Sequence, residues 1–273
     1  MQVRTKLTPP LNRFVDCLWH SEGYSPAHDL ERALPTGTVE MVFRLEQPEL
    51  RIVDDDGAPL GRFGDAVVSG THSRYFVLET RQQSSVMGVH FRPGGAAPLL
   101  GLPLSELTDR HVGLADLWGR TARLWREQLL AARAPQARFD VLERLLLRRL
   151  APPSTESAVV DDALARFTAA PSLARVRDVC AASGLSAKRF IRRFHDRVGL
   201  TPKLYCRVQR FQAVVDQAAN RRGVDWARVA LDCGYYDQSH LIRDFREFSG
   251  VTPAEYRPVE PDRKNHLAVS RDR

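Results

Sequence analysis

Four basic side chains crowd one short stretch of this 273-residue chain, Lys188, Arg189, Arg192 and Arg193, and 51 residues after Arg192 a second stretch places Arg243 behind Gln238, Ser239 and His240. A guanidinium can neutralise a phosphate or bond a guanine edge through two parallel donors, so residues of this kind in register suit contact with nucleic acid. The apolar neighbours decide which of them point outward. Phe190 and Phe194, and likewise Leu241 and Phe245, lie four apart and mark the buried stripe of a helix. Lys188 with Arg192, and Ser239 with Arg243, then share the outer face as candidates for base edges, with Gln238 and His240 flanking. Arg189 and Arg193 are turned toward phosphates or water. Each outward residue keeps a second reading, a phosphate contact or a surface ion pair, because half or more of protein–DNA hydrogen bonds go to the backbone. His240 keeps local packing as its alternative.

Positioning such faces takes short helices joined by tight turns, and the sequence supplies them twice at a constant offset of 51: Arg192/Arg243, Phe194/Phe245, Gly199/Gly250, Thr201/Thr252, Pro202/Pro253 and Tyr205/Tyr256. In the second copy Asp225 can cap a helix carrying Trp226, Val229 and Ala230, Gly234 can end it in a left-handed turn, and Asp237 can cap the next helix. In the first, Ser172 takes the opening cap, with Leu173, Val176, Val179 and Cys180 inward, and Gly184 and Ser186 lead into the second helix. Cys180 and Ala230, each four before its glycine, are small enough for two helices to cross closely. Pro202 opens a longer stripe, Leu204, Tyr205, Val208, Phe211, Val214 and Val215, running to about Ala219 and spanning roughly 25 Å at about 1.5 Å per residue. Asn220, Arg221, Arg222 and Gly223 read as the loop into the second unit. Two helix-turn-helix units on a rigid spacer are therefore expected.

The C-terminal residues 154–258 resemble the DNA-binding domain of the AraC/XylS family of bacterial transcription regulators, most specifically through GYYDQSHLIRDFREFSGVTPAEYR at 234–257. The first copy departs from the family pattern at Cys180 and at Ala187-Lys188-Arg189. The resemblance implies a bipartite domain with two recognition helices in successive major grooves of double-stranded DNA, and RNA polymerase as a candidate protein partner.

Charge points the same way. Residues 171–257 hold 16 Lys and Arg against 9 Asp and Glu, a net of +7, while the remaining 24 basic and 24 acidic residues cancel. The whole positive excess thus sits on one domain, as expected of a phosphate-binding surface. Cys17, Cys180, Cys206 and Cys233 have no CxxC spacing and read as reduced thiols. Neither a signal sequence nor an apolar run approaching a membrane span is present, so a cytoplasmic location, nucleoid-associated on DNA, is expected.

The front half has another pattern. Strand-like runs at 39–45, 50–53, 66–69, 75–80 and 86–92 give way to helical periodicity, with Leu117, Trp118, Leu124, Trp125 and Leu129 in one segment and Phe139, Leu142, Leu145, Leu146 and Leu150 in the next. Residues 151–155, with two consecutive prolines, form a stiff linker. This half resembles a poorly characterised sensor-like domain that accompanies some AraC/XylS-type regulators, through 31–40 and FRPGGAAPLLGLPLSELTD. In related regulators a β-rich, cupin-like module binds a small molecule and following helices dimerise. That implies a small-molecule effector and a homodimer here, with the leucine-rich helices either a dimer seam or packing against the sheet. Alternation puts His90 and Arg92 on one strand face; with Glu40 they are candidate effector-binding groups if that face lines a pocket, and a solvated surface if it does not.

No HxH or HExxH pair and no cysteine cluster occurs in the front half, so no catalytic, metal or cofactor site is expected. The sequence thus predicts an α+β protein: a β-rich barrel or sandwich with helices at 1–153, an all-α double helix-turn-helix domain at 154–258, and a disordered polar tail at 259–273. Its function would be sequence-specific DNA-binding regulation under effector control. The alternatives are a constitutive DNA-binding protein whose front half serves association, and an enzyme domain fused to a DNA-binding tail.

Overall fold

The computed structural model describes residues 2–46, 49–151, 157–169, 174–219 and 224–269. Ten strands fill the N-terminal part: β1 Gln2–Arg4, β2 Val15–Glu22, β3 Leu30–Ala33, β4 Glu40–Arg44, β5 Leu50–Val53, β6 Pro59–Phe63, β7 Ala66–Ser69, β8 Phe76–Glu79, β9 Ser85–Phe91 and β10 His111–Gly113. A last strand, β11 His266–Ala268, comes from the far end of the chain. They form two antiparallel sheets, ordered β1-β2-β9-β4-β7-β10 and β11-β3-β8-β5-β6. The expected β-rich domain is therefore a two-sheet sandwich.

Helices turn it into three layers. The short α1 (Ala97–Leu100) and α2 (Leu114–Trp118) precede α3 (Arg120–Ala131) and α4 (Pro135–Arg149). Trp118, Trp125, Leu129, Phe139, Leu142, Leu145 and Leu146 are buried in one cluster with Leu18, Met41, Phe43, Val68, Met87, Val89 and Phe91 of the six-stranded sheet. The leucine-rich helices thus pack on the sheet, the packing alternative of the two; Leu124 alone of the first set stays well exposed, at 42%. Because helices cover one face and the second sheet the other, β7 and β9 are apolar almost throughout and β4 is apolar at its centre, as strands buried on both faces are.

The C-terminal domain is all helical: α5 (Ser157–Ala169), α6 (Val176–Ala182), α7 (Ala187–Val198), α8 (Pro202–Ala219), α9 (Trp226–Asp232) and α10 (Gln238–Ser249). Asp225 accepts from the backbone N–H groups of Ala227 and Arg228, and Asp237 from that of His240, so both predicted aspartate caps form. Gly184 and Gly234 turn between the paired helices at φ +68° and +78°. Ser186 is the N-cap of α7 by position, without a side-chain hydrogen bond. The cap expected of Ser172, the inward Leu173, the linker residues 152–155 and the loop at 220–223 lie outside the described residues. One core, including Phe190, Phe194, Val208, Phe211, Val229, Ala230, Leu241, Phe245 and Phe248, unites both units with α8.

The domains are docked at three places. Residues 35 and 36 receive Gln212 and Gln209 of α8, which donate to the carbonyls of Pro35 (2.7 Å) and Thr36 (3.1 Å). Ser105 donates to Asp196 of α7 at 2.8 Å, and Thr108 to the Gly199 carbonyl at 2.5 Å. Tyr75 donates its backbone N–H to the Phe248 carbonyl of α10 at 3.0 Å.

The expectation of a disordered tail is corrected over 259–269. β11 pairs with β3 through His266↔Ala33, Leu267↔Arg32 and Ala268↔Glu31, and Leu267 is 4% exposed. Buried Glu31 holds the segment with Arg263 (2.9 Å), His266 (3.0 Å) and Tyr24. Polar composition suggested disorder, yet a single leucine and a free sheet edge give this segment a place. Residues 270–273 lie outside the described residues.

Candidate functional site

Two places in the molecule carry concentrated chemistry. The first is the outer face of the helical domain. Phe190, Phe194 and Val198 point into the core from α7, leaving Lys188, Arg189 and Arg192 exposed and Arg193 half-buried. Arg192 is 84% exposed and only 3.9 Å from Asp196, one turn on, so water screens that pair and leaves the guanidinium available. On α10, Leu241, Phe245 and Phe248 point inward while Gln238, Ser239 and Arg243 are exposed. Half-buried His240 sets its ring edge-on to Tyr235 at 5.1 Å, with Nε2 4.0 Å from Asp244. Tyr236, at the turn before α10, is 86% exposed, a surface group that the helical register alone does not single out.

What holds the two faces in relation is α8 and its ion pairs. Arg207 of α8 reaches α10, where it bonds Asp244 (2.8 Å) and Glu247 (2.6 Å) and lies over the Phe248 ring at 5.0 Å. Asp244 is 3% exposed, so this bridge fixes the second helix against the spacer in a low-dielectric setting.

The second place is a cavity of about 320 Å³ between the two sheets. That volume lies within the range of small-molecule pockets. Trp19, Val42, Val67, Leu50, Phe76 and Leu78 supply apolar walls. Its polar end gathers residues far apart in sequence. His90 Nδ1 is 2.8 Å from Glu40, and its Nε2 is 3.2 Å from Thr38 Oγ1. Ser69 Oγ lies 3.1 Å from His72 and 3.3 Å from His111.

Burial works against ionisation of Glu40, but the hydrogen bond and charge of His90 outweigh it, and the carboxyl sits below its usual range. His90 is raised in turn by the same bond, against its own burial. Burial pushes His72 down to about 4, and holds His111 well below its ordinary value with help from His72. The cavity thus offers the hydrogen-bonded Glu40–His90 pair and two neutral imidazoles that donate through one nitrogen and accept through the other. Glu40 remains 39% accessible because its carboxylate faces this space.

Of the three effector candidates from the sequence, Glu40 and His90 meet in the cavity and Arg92 does not. It lies one residue past the end of β9, exposed, donating to the Asn12 carbonyl at 3.0 Å and paired with Asp16 at 3.3 Å. Strict alternation carries a face only as far as the strand continues. His72, His111 and Ser69 are not among the effector candidates drawn from the sequence, nor are 262–266, which also line the cavity. No spacing in the sequence announces them, since they come from three separate segments. Among the described residues no group of His, Cys, Asp and Glu is arranged to hold a metal ion, and no helix is long and apolar enough to cross a membrane.

Comparison with known proteins follows the same division. Residues 6–113 match a domain of unknown function (DUF6597), and residues 179–258 match a helix-turn-helix domain. No curated protein matches the chain in sequence. Among solved structures, an apo lysine-to-alanine variant of ToxT from Vibrio cholerae is 12% identical with a TM-score of 0.46, over 88% of this chain and 95% of that one. ToxT from Vibrio cholerae bound to (E)-4-(8-methylnaphthalen-1-yl)but-3-enoic acid is 10% identical with a TM-score of 0.47, over 88% of this chain and 97% of that one. At such identities and scores these likenesses say nothing of what this chain binds. With its repeated helix pairs, connecting helix and matched C-terminal region, the chain carries a helix-turn-helix domain preceded by a β-rich domain of unknown function.

Proposed function

We propose that this protein is a DNA-binding transcription regulator of the AraC kind, that it reads two successive major-groove segments, one through α7 and one through α10, and that the cavity between the sheets holds a small-molecule effector. The observation that carries the DNA half is the repeat made solid: Arg192 and Arg243, equivalent positions 51 residues apart, are both exposed on helices whose opposite faces are locked in one core. The domains are drawn at 1–153 and 154–258, and the protein would act in the cytoplasm at the nucleoid. Lys188 and Ser239 join the arginines on the base-reading faces, with Gln238 and His240 flanking and Arg189 and Arg193 on the backbone.

Selection of randomised DNA sites by Arg192→Ala and Arg243→Ala tests this reading. Each should relax preference at its own position, the two roughly one helical turn apart, at about 1–3 kcal/mol for a bidentate guanine contact. Arg189→Ala should weaken all sequences alike. Loss of preference at the same base pair in both mutants, or at none, defeats the two-groove reading. The effector half is supported by a mostly apolar space between the sheets with the Glu40–His90 pair at one end. A compound that binds there raises the melting temperature of the full chain by mass action, and Glu40→Ala should remove the rise. A rise that survives Glu40→Ala and His90→Ala places the compound elsewhere.

A further inference from the structure

The connection from β7 to β8 has two faces with different neighbours. On one face Ser69, Gly70, His72 and Phe76 line the cavity. On the other, Thr71 and Tyr75 meet the C-terminal ends of both outward-facing helices. Gly199 ends α7, and a Cβ there would fall onto Thr71 Oγ1 and lie 3.1 Å from the Leu104 carbonyl oxygen. Gly250 ends α10, and its Cβ would lie 2.8 Å from Tyr75 Cε1 and 3.0 Å from the Arg32 guanidinium. The Tyr75 N–H donates to Phe248 beside it at 3.0 Å. Gly199 and Gly250 are the equivalent glycines of the two repeats. One short segment therefore seats the same point of each unit.

The segment is also braced. Gly70 donates to the Arg110 carbonyl at 2.9 Å, and the Thr71 carbonyl accepts from Asp109 at 3.0 Å. Ser73 donates to Asp109 from its backbone at 2.5 Å and from its hydroxyl at 2.7 Å. Asp109 itself holds φ +55°, the sole non-glycine residue with positive φ among those described. The His72 ring lies tilted against Phe76 at 4.6 Å and against His111 at 4.8 Å, so both neighbours hold it in place. A segment tied at this many points moves as a piece. Displacing His72 on the inner face must shift Thr71 and Tyr75 on the outer one.

We propose that segment 70–75 is the coupling element of the protein: a molecule pressing on His72 or Phe76 in the cavity resets the seats of α7 and α10 together, and so the disposition of the two DNA-reading faces. The cavity side of this proposal rests on the effector reading above; the seating side does not. The coupling is reciprocal, so DNA held on both helices must also bias the cavity.

Peptide-resolved hydrogen exchange on the full chain, with no compound added, tests it. His72→Ala and the gentler Phe76→Leu should speed exchange in the last turns of both α7 and α10. They should also change affinity for a labelled mixed-sequence DNA duplex at low salt by a factor on the order of 5 or more, the low end of usual coupling. Met87→Ala, which opens the helix-covered core from β9 away from the cavity lining, should leave both helices unchanged. Unaltered exchange in His72→Ala and Phe76→Leu, a change confined to one helix, or an equal response to Met87→Ala would overturn the proposal. The effector reading fails separately: a thermal-shift screen in which no compound raises the melting temperature defeats that reading and leaves the exchange result standing.

Discussion

Replacing Gly199 with alanine perturbs the fold at the point where the first helix-turn-helix unit rests on the β-rich domain. Two costs follow from the structure. Gly199 holds φ +86°, and a Cβ in left-handed backbone costs about 1–2 kcal/mol. The Cβ would also overlap Thr71 Oγ1 and sit 3.1 Å from the Leu104 carbonyl oxygen and 3.3 Å from Thr71 Cβ. Two of those neighbours are backbone or branch atoms that cannot swing away, so the overpacking adds about 1–3 kcal/mol.

Gly184 is the natural control, with φ +68° and nothing within 4 Å of its would-be Cβ. Gly199→Ala should therefore cost about 2–5 kcal/mol against about 1–2 kcal/mol for Gly184→Ala. Urea unfolding followed by circular dichroism measures both. Adding Thr71→Ala removes the overlapping hydroxyl and should return part of the loss, a coupling of about 0.5–3 kcal/mol in a double-mutant cycle. Equal costs for the two glycine variants, or no recovery with Thr71→Ala, would show that α7 is not seated on Thr71 and would refute the docking described above.

Other perturbations reach other joints. Arg207→Ala strands the Asp244 carboxylate, 3% exposed, without its cation; with Arg207 itself 25% exposed, a loss near about 3 kcal/mol is expected in chemical unfolding, and a loss below about 1 kcal/mol would make the bridge a surface pair. Leu267→Ala empties a site 4% exposed at the β11 edge and should cost about 2–4 kcal/mol, whereas a neutral result would mean that the segment is not docked in solution. Glu31 is fully buried, which by itself raises its pKa, but His266, Tyr24 and Arg263 bring it down from 4.5 to about 2. Its folded value is depressed, so its contribution, on the order of 3 kcal/mol, is present above pH 4.5 and fades as pH falls toward 2. Glu31→Gln should lower stability at neutral pH and flatten that acid limb; an acid-unfolding curve parallel to that of the parent protein would exclude the role.

The helical domain was legible because its information is local. A cap such as Asp237, a turn glycine such as Gly234 and apolar residues four apart act within one or two turns, and the repeat at an offset of 51 states the same message twice. The outward faces follow from the inward ones, so the sequence alone places Arg192 and Arg243 on them. The strands of β4, β5, β7, β8 and β9 were visible as short apolar runs, but β1, β2, β3, β6 and β10 were not singled out, since strands of three to eight residues with mixed polarity depend on their partners. The cavity was decided by tertiary structure alone. Register across β4 and β9 brings Glu40 opposite His90, the β7–β10 pairing sets Ser69 beside His111, and both pairings join residues 42 or more apart. The C-terminal segment shows the same limit: its composition is that of a solvated tail, and only the open edge of β3 and the buried Glu31 waiting there make it a strand. Side-chain direction along one element is a property of sequence; which elements face each other is settled by the packing of the whole chain.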